Sequence, residues 1–354
     1  MNVYDHGVRK RMYRRIASVV ALGLTVAACE PQTSRDHIKV VGSSTVYPFT
    51  TAVAEALVNA NPNLRAPVIE STGTGAGASL FCAGIGPQHP DILNASRRLK
   101  KSEYDTCVGN GVKDIMEIQV GVDGVALAES NNGPKLKLSK NDVYLALSAN
   151  PLGKPNVARM WSDVNPALPS IPIQVFGPPA TSGTRDALVE LVMVPACEAA
   201  MPQVKALKTS DKDRYEDICT RIRDDSAYVD KGENDNLIVQ NLSTNPNAVG
   251  IFGYSYLEEN AARLHGVPIE GVVPTYNSIS DGSYPGARPL FIYVKKAHIK
   301  PVPGMTDFLA AFARSWDPGG PLTRRGMIAA PADIRATSTA EIASQTPLDP
   351  AGLH

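Results

Sequence analysis

Apolar positions along the chain switch repeatedly between two periods. HIKVVG (37–42) predicts a strand, and behind Ser43-Ser44-Thr45 the residues Val46, Phe49, Val53 and Leu57 recur at helical spacing. PVIES (67–71) predicts a second strand and GAGASLFCAG the opening of a helix. DILNAS (91–96) predicts a third strand, followed by a polar helix over KKSEYDTCVGNG that a glycine closes. This alternation is the signature of α/β layers with parallel strands.

Farther on, DIMEIQVGVDGVALAES (114–130) holds two strand-like runs around Asp123-Gly124 and is expected to cross into a second domain. LSKNDVYLALSA predicts a helix starting at Ser139, and IPIQVFG (171–177) and AVGIFGYS (248–255) predict strands, the latter running into a helix over SYLEENAARL. PLFIYVKK (289–296) predicts a strand returning to the first domain. MTDFLAAFARSW predicts an amphipathic helix with Met305, Phe308, Leu309 and Phe312 on one face. The tail STAEIASQTPLDPAGLH is expected to be loosely ordered.

One apolar run does not belong to the fold. Arg9, Lys10, Arg11, Arg14 and Arg15 precede IASVVALGLTVAA, which is too short to span a membrane and predicts a secretory signal ending before Cys29. Met12 is an alternative start. Removing residues 1–28 leaves 326 residues with 30 basic and 34 acidic side chains, a net charge of −4. That balance argues against general nucleic-acid binding, and the length predicts two domains. EPQTSRD, after Cys29, is polar and suited to a tether.

Four further cysteines, Cys82, Cys107, Cys197 and Cys219, fall in two local pairs. Proximity favours disulfides Cys82–Cys107 and Cys197–Cys219 in an oxidising compartment, with free buried thiols as the alternative. Their spacing, with His89 alone nearby, does not make a metal site.

The candidate chemistry lies where strands end and helices begin. Gly42-Ser43-Ser44-Thr45, Ser71-Thr72-Gly73-Thr74-Gly75 and Thr181-Ser182-Gly183-Thr184 repeat one composition, and Ala95-Ser96-Arg97-Arg98 follows a strand as well. In α/β folds such corners face the ligand. Helix starts present free N–H groups to an anion, hydroxyls add neutral donors, and glycine permits close approach. Any one corner is also explained as an ordinary N-cap. Arg185 is the exception, because a cation in the first turn opposes the helix dipole unless it serves an oxyanion, and Arg97 follows the same logic.

Competing motifs fail. Gly73-Thr74-Gly75-Ala76-Gly77-Ala78 approximates a dinucleotide fingerprint without the later ribose-binding acid. Ser182 lacks a G-x-S-x-G frame, and no histidine lies in a motif that would supply a base. No cofactor is implied.

Taken in order, VVGSSTVYPFT (40–50), ESTGTGAG (70–77), DILNASRRLKKSE (91–103), GPPATSGTRDALVEL (177–191), AVGIFGYSYLEEN (248–260) and ISDGSYPGARPLFIYVKK (279–296) resemble the substrate-binding lipoprotein of the bacterial phosphate-uptake ABC transporter. Val26-Ala27-Ala28-Cys29 resembles a lipobox, which implies lipidation at Cys29 and a cell-envelope, periplasmic location. The resemblance implies a two-lobed periplasmic binding protein of type II-like α/β fold, its lobes joined by two crossing strands. Residues 1–28 are then the signal, 29–37 the tether, 38–122 with 285–354 the first lobe, and 123–284 the second. It implies a non-enzymatic monomer that binds inorganic phosphate and delivers it to permease subunits driven by a cytoplasmic ATPase, touching the membrane only through its lipid. Carried over by motif, the donors are Ser44, Thr45, Thr74, Ser96, Arg97, Ser182, Gly183, Thr184 and Arg185.

Two departures stand out. Pro178 and Pro179 occupy the place where some relatives carry an arginine, and Arg97 the place of an aspartate that accepts the proton of phosphate. Asp91, Asp186 and Glu70 are the candidate replacements. Rival readings are a receptor for another oxyanion (sulfate, molybdate or a phosphonate), an exported phosphoester hydrolase, and a surface adhesin.

Overall fold

The fold begins with three short strands, of which the first and third are buried on both faces and the second is an exposed edge. In the computed structural model, which describes residues 35–180, 182–232 and 235–353, β1 (Lys39–Gly42) pairs in parallel with β2 (Val68–Ser71) and β3 (Ile92–Ala95). The signal, Cys29 and most of the tether lie outside the described residues. Side chains of a strand alternate between faces. Val40 and Ile92 accordingly join one cluster, with Phe49 and Leu57 of the helix Tyr47–Ala60 and with Phe308 and Phe312 of the helix Met305–Ala313. Leu93 and Ala95 join another on the opposite face, with Phe81 and the disulfide Cys82–Cys107.

Two long strands tie the halves of the molecule together. β4 (Ile115–Ser130) is a single strand, although the sequence divides at Asp123-Gly124. Its first part pairs antiparallel with a strand from much later in the chain, Ala287–Lys295, which also pairs antiparallel with β3. Its last part, from Val125, pairs with strands of the second half. Asp123 and Gly124 stay in the ladder because Arg288 and Ala287 oppose them, and the irregularity falls instead between Gln119 and Gly121.

The second half repeats the α/β logic. β5 (Val175–Gly177) pairs in parallel with β6 (Tyr228–Asp230) and with β7 (Val249–Gly253), and β8 (Leu264–Gly266) adds to β4. β9 is the returning strand Ala287–Lys295. A single core gathers Leu127, Val143, Trp161, Phe176, Leu188 and Phe252. The disulfide Cys197–Cys219 lies in it. Ser139 caps its helix as expected, accepting from the Asp142 amide while Asp142 accepts from Ser139 N.

The C-terminal tail is not loose. Ala332–Ser344 is a helix against β4, Ser338 is buried and donates to the Gln119 carbonyl, and Leu348 N donates to Ile115 O. The reading from sequence failed because this helix carries almost no apolar stripe, its Ile334 and Ile342 packing on two different clusters. The helix expected over SYLEENAARL stops at Glu259, and Leu264 belongs to β8. Among the described residues, no single helix is long and apolar enough to cross a membrane.

Candidate functional site

The carboxyl end of β1 is shaped by a glycine. Gly42 has φ +127°, and a Cβ there would lie 2.1 Å from the Asn94 carbonyl oxygen. Gly77 presses equally close on Gly42, so the helix Thr74–Phe81 starts beside the end of β1. Ser44 and Thr45 lie on the turn between Gly42 and the helix Tyr47–Ala60.

The fourth corner meets the first. After β5 the chain enters the helix Gly183–Leu188, capped by Ser182, whose Oγ accepts from Thr184 N at 3.2 Å. A Cβ on Gly183 would come within 2.9 Å of Thr45 Oγ1 and 3.3 Å of Ser44 Oγ. The two halves of the molecule thus touch through hydroxyls and a glycine. Ser44, Thr45, Ser182, Gly183 and Thr184 line one cavity of about 510 Å³, with Ser71 and Asp123.

At the centre is a residue the sequence reading missed. Arg288, only 4% exposed, projects from β9. Its Nη2 donates to Thr45 Oγ1 at 2.6 Å and to the Gly183 carbonyl at 3.4 Å, its Nη1 to Glu190 at 2.7 Å, and its Nε to Asp123 at 3.2 Å. One guanidinium therefore joins both halves and both crossing strands. A signal was present: Arg288 shares its strand parity with Leu290, Ile292 and Val294, which are all core residues. A charge at an inward position must be paired, and that marks it for a role. Glu190 reaches it from a π-helical turn, Val189–Met193, a type of irregularity common at functional sites.

The remaining expected residues divide into two groups. Thr74 and Ser96 pair with each other, their hydroxyls 3.1 Å apart and Ser96 N donating to Thr74 Oγ1 at 3.1 Å, which stitches the second corner to the third. The two arginines have partners within the protein. Arg97 forms a two-bond pair with Glu103 at 2.7 and 2.9 Å, which holds its guanidinium firmly charged. Arg185 lies over the Tyr228 ring, 5.0 Å from its centroid, and Tyr228 donates to the Pro178 carbonyl at 2.6 Å.

The three candidate carboxylates also separate. Glu70 pairs with Lys39 on an exposed strand edge. Asp91 is buried at the opposite end of β3, bonded to Arg35, His298 and Lys39 N. Asp186 alone stands at the junction. Desolvation raises its carboxyl above the usual range, against the pull of Arg288, a hydrogen bond with Ser44, and Arg185. The residue as a whole is exposed.

Fold and site together define a two-lobed α/β binding protein with its cleft at the strand ends. A profile of the PBP superfamily domain matches residues 27–315. The chain is 31% identical over 275 residues to phosphate-binding protein PstS of Staphylococcus haemolyticus, covering 76% of this chain and 73% of that protein. It is 29% identical over 308 residues to protein SphX of Synechococcus elongatus, covering 82% and 80%. A solved structure described as a possible phosphate binding protein from Planctomyces limnophilus superposes with a TM-score of 0.70 at 28% identity, covering 88% of this chain and 99% of that one. An ABC-type phosphate transport receptor from Vibrio cholerae shares the fold, with a TM-score of 0.54 at 18% identity over 82% of this chain and 96% of that one. The chain belongs to the PBP superfamily, in the family of the phosphate-binding proteins PstS.

Proposed function

We propose that this protein is a phosphate receptor that binds one inorganic phosphate between its lobes and delivers it to an ABC permease. The observation that carries the reading is the meeting of two hydroxyl corners, Ser44-Thr45 and Ser182-Gly183-Thr184, under the buried Arg288. Hydroxyl and backbone donors replace the hydration shell of the anion, and Arg288 supplies a fixed positive charge. Because the donors come from both halves, the anion itself contributes the energy of closure.

Phosphate differs from sulfate by carrying a proton at neutral pH, and the cleft has an acceptor for it. Asp186, with its raised pKa, is a stronger hydrogen-bond acceptor than an ordinary aspartate. Asp123 and Glu190 already offset the charge of Arg288, which disfavours a fully ionised dianion. In this reading Thr74 and Ser96 brace the third corner, Arg97 is retained by Glu103, and Arg185 tunes Asp186 from its seat on Tyr228.

The protein acts as a carrier and not as an enzyme. The lobes divide as residues 38–122 with 285–354 and 123–284, and residues 1–28 are a lipoprotein signal that leaves Cys29 as the lipidated first residue of an envelope-bound monomer. Calorimetric titration of the mature, ligand-stripped protein with phosphate and then sulfate tests the reading. Tight one-to-one binding of phosphate alone is expected, whereas preference for sulfate, or no binding of either, overturns it.

A further inference from the structure

Far from the cleft, at the amino-terminal ends of the strands, a second set of charged groups is buried that phosphate binding does not use. Its centre is His298, on the short helix Lys296–Ile299 that follows β9. His298 Nδ1 lies 2.7 Å from Asp91 Oδ1, and the Gly86 amide donates to His298 Nε2 at 2.9 Å. A backbone N–H can only donate, so Nε2 must present its lone pair and Nδ1 must carry the proton toward Asp91. The geometry therefore demands one neutral tautomer.

We propose that His298 is a proton-released clasp: in its neutral form it holds the loop 83–90 against the base of the first lobe, and a second proton, at Nε2, frees that loop. The added N–H would face the N–H of Gly86, turning a hydrogen bond into a contact between two donors.

The groups around the ring crowd further charge against it. On the N-terminal segment, Arg35 already pairs with Asp91 at 2.5 Å and donates to the carbonyls of Pro87 and His89, while Asp36 and His37 pair with each other. From β9, the fully buried Lys295 donates to the Gly84 carbonyl at 2.6 Å and lies 4.8 Å from the centroid of Phe81. Burial pulls the Lys295 ammonium down to about 7, with Asp91 acting against the shift and Arg35 with it. From the loop itself, His89 is lowered by burial and by Lys295 and His298. One carboxylate, Asp91, thus faces Arg35, Lys295 and the His298 imidazole, with His89 close to Lys295 and His298, and a second proton on His298 adds one more cation to this set. Lys295 and His298 grip the same loop, which runs from the Cys82 disulfide into β3.

Backbone amide exchange of the full mature chain, corrected for intrinsic pH dependence, tests the clasp. Protection in the peptide spanning 83–90 is expected to fall by about tenfold or more between about pH 8 and about pH 5, while β3 stays protected. His298→Gln keeps a non-titrating acceptor toward Gly86 and is expected to remove the pH dependence; His89→Gln is expected to leave it. Protection unchanged with pH, or a loss that persists in His298→Gln, or one that disappears in His89→Gln, overturns the proposal. Nitrogen NMR of the unaltered protein gives an independent check: the Nδ1–H tautomer is expected at neutral pH, and the Nε2–H tautomer would refute it.

Discussion

The two ends of the first lobe each bury a charge, and they treat it oppositely. At the cleft end, Arg288 spreads its donors over Thr45, Gly183, Asp123 and Glu190, groups drawn from both lobes and both crossing strands. At the base, Asp91 collects His298 and Lys39 N from the first lobe and Arg35 from the segment that leads into it. A buried ion whose partners belong to bodies that can part is available to a ligand; one whose partners share a single body is a structural fastening. The difference lies in connectivity, since both ends are built on arginine–carboxylate pairs.

The comparison breaks most readily at the base. Asp91→Asn should destabilise the protein by about 3–5 kcal/mol, because Arg35 loses a buried partner, yet leave phosphate affinity within about twofold. Denaturant unfolding and calorimetry measure the two quantities, and a matching loss of affinity would merge the two ends. Arg288→Met should do the reverse, lowering phosphate affinity about a hundredfold, near 3 kcal/mol, with a smaller loss of stability. Unchanged titration would remove Arg288 from the site.

Asp186→Asn sharpens the contrast within the cleft. The folded-state pKa of Asp186 lies above its ordinary value of 3.8. Its contribution to stability is therefore fully present below that value and lost as pH rises through the raised one. At neutral pH the ionised side chain is a liability that the asparagine lacks. The variant should equal or slightly exceed the parent in neutral thermal stability while binding phosphate about tenfold more weakly, with its preference over sulfate reduced. Lower stability together with unchanged affinity would assign Asp186 a structural role. The smallest effect belongs to Arg97→Ala, which exposes a half-solvated pair with Glu103 and should cost about 1 kcal/mol or less, leaving affinity within about threefold. A tenfold loss would return Arg97 to the anion.

Much of this arrangement is legible in the chain. The strands β1, β2 and β3 and the helix behind Val46 follow from apolar spacing, and the pairs Cys82–Cys107 and Cys197–Cys219 from proximity. The hydroxyl corners announce themselves because strand-to-helix turns have a local composition. The helix Ala332–Ser344 did not, since its apolar residues form no stripe and its contact to Gln119 is distant in sequence.

What the sequence by itself determined, then, is whatever nearest-neighbour physics controls: periodicity, caps, glycine turns, and which strand-to-helix corners carry hydroxyls. Only the tertiary structure decided which corners meet and where each charge goes. Arg97 and Arg185 were the evident cations, yet the fold pairs the one with Glu103 and seats the other on the Tyr228 ring. Arg288 was hidden in a strand 243 residues from Thr45, and it became central because a long antiparallel ladder carries it to the junction of the lobes. A guanidinium binds whatever acceptor the fold brings within about 3 Å, and that distance is not written in any local stretch of sequence.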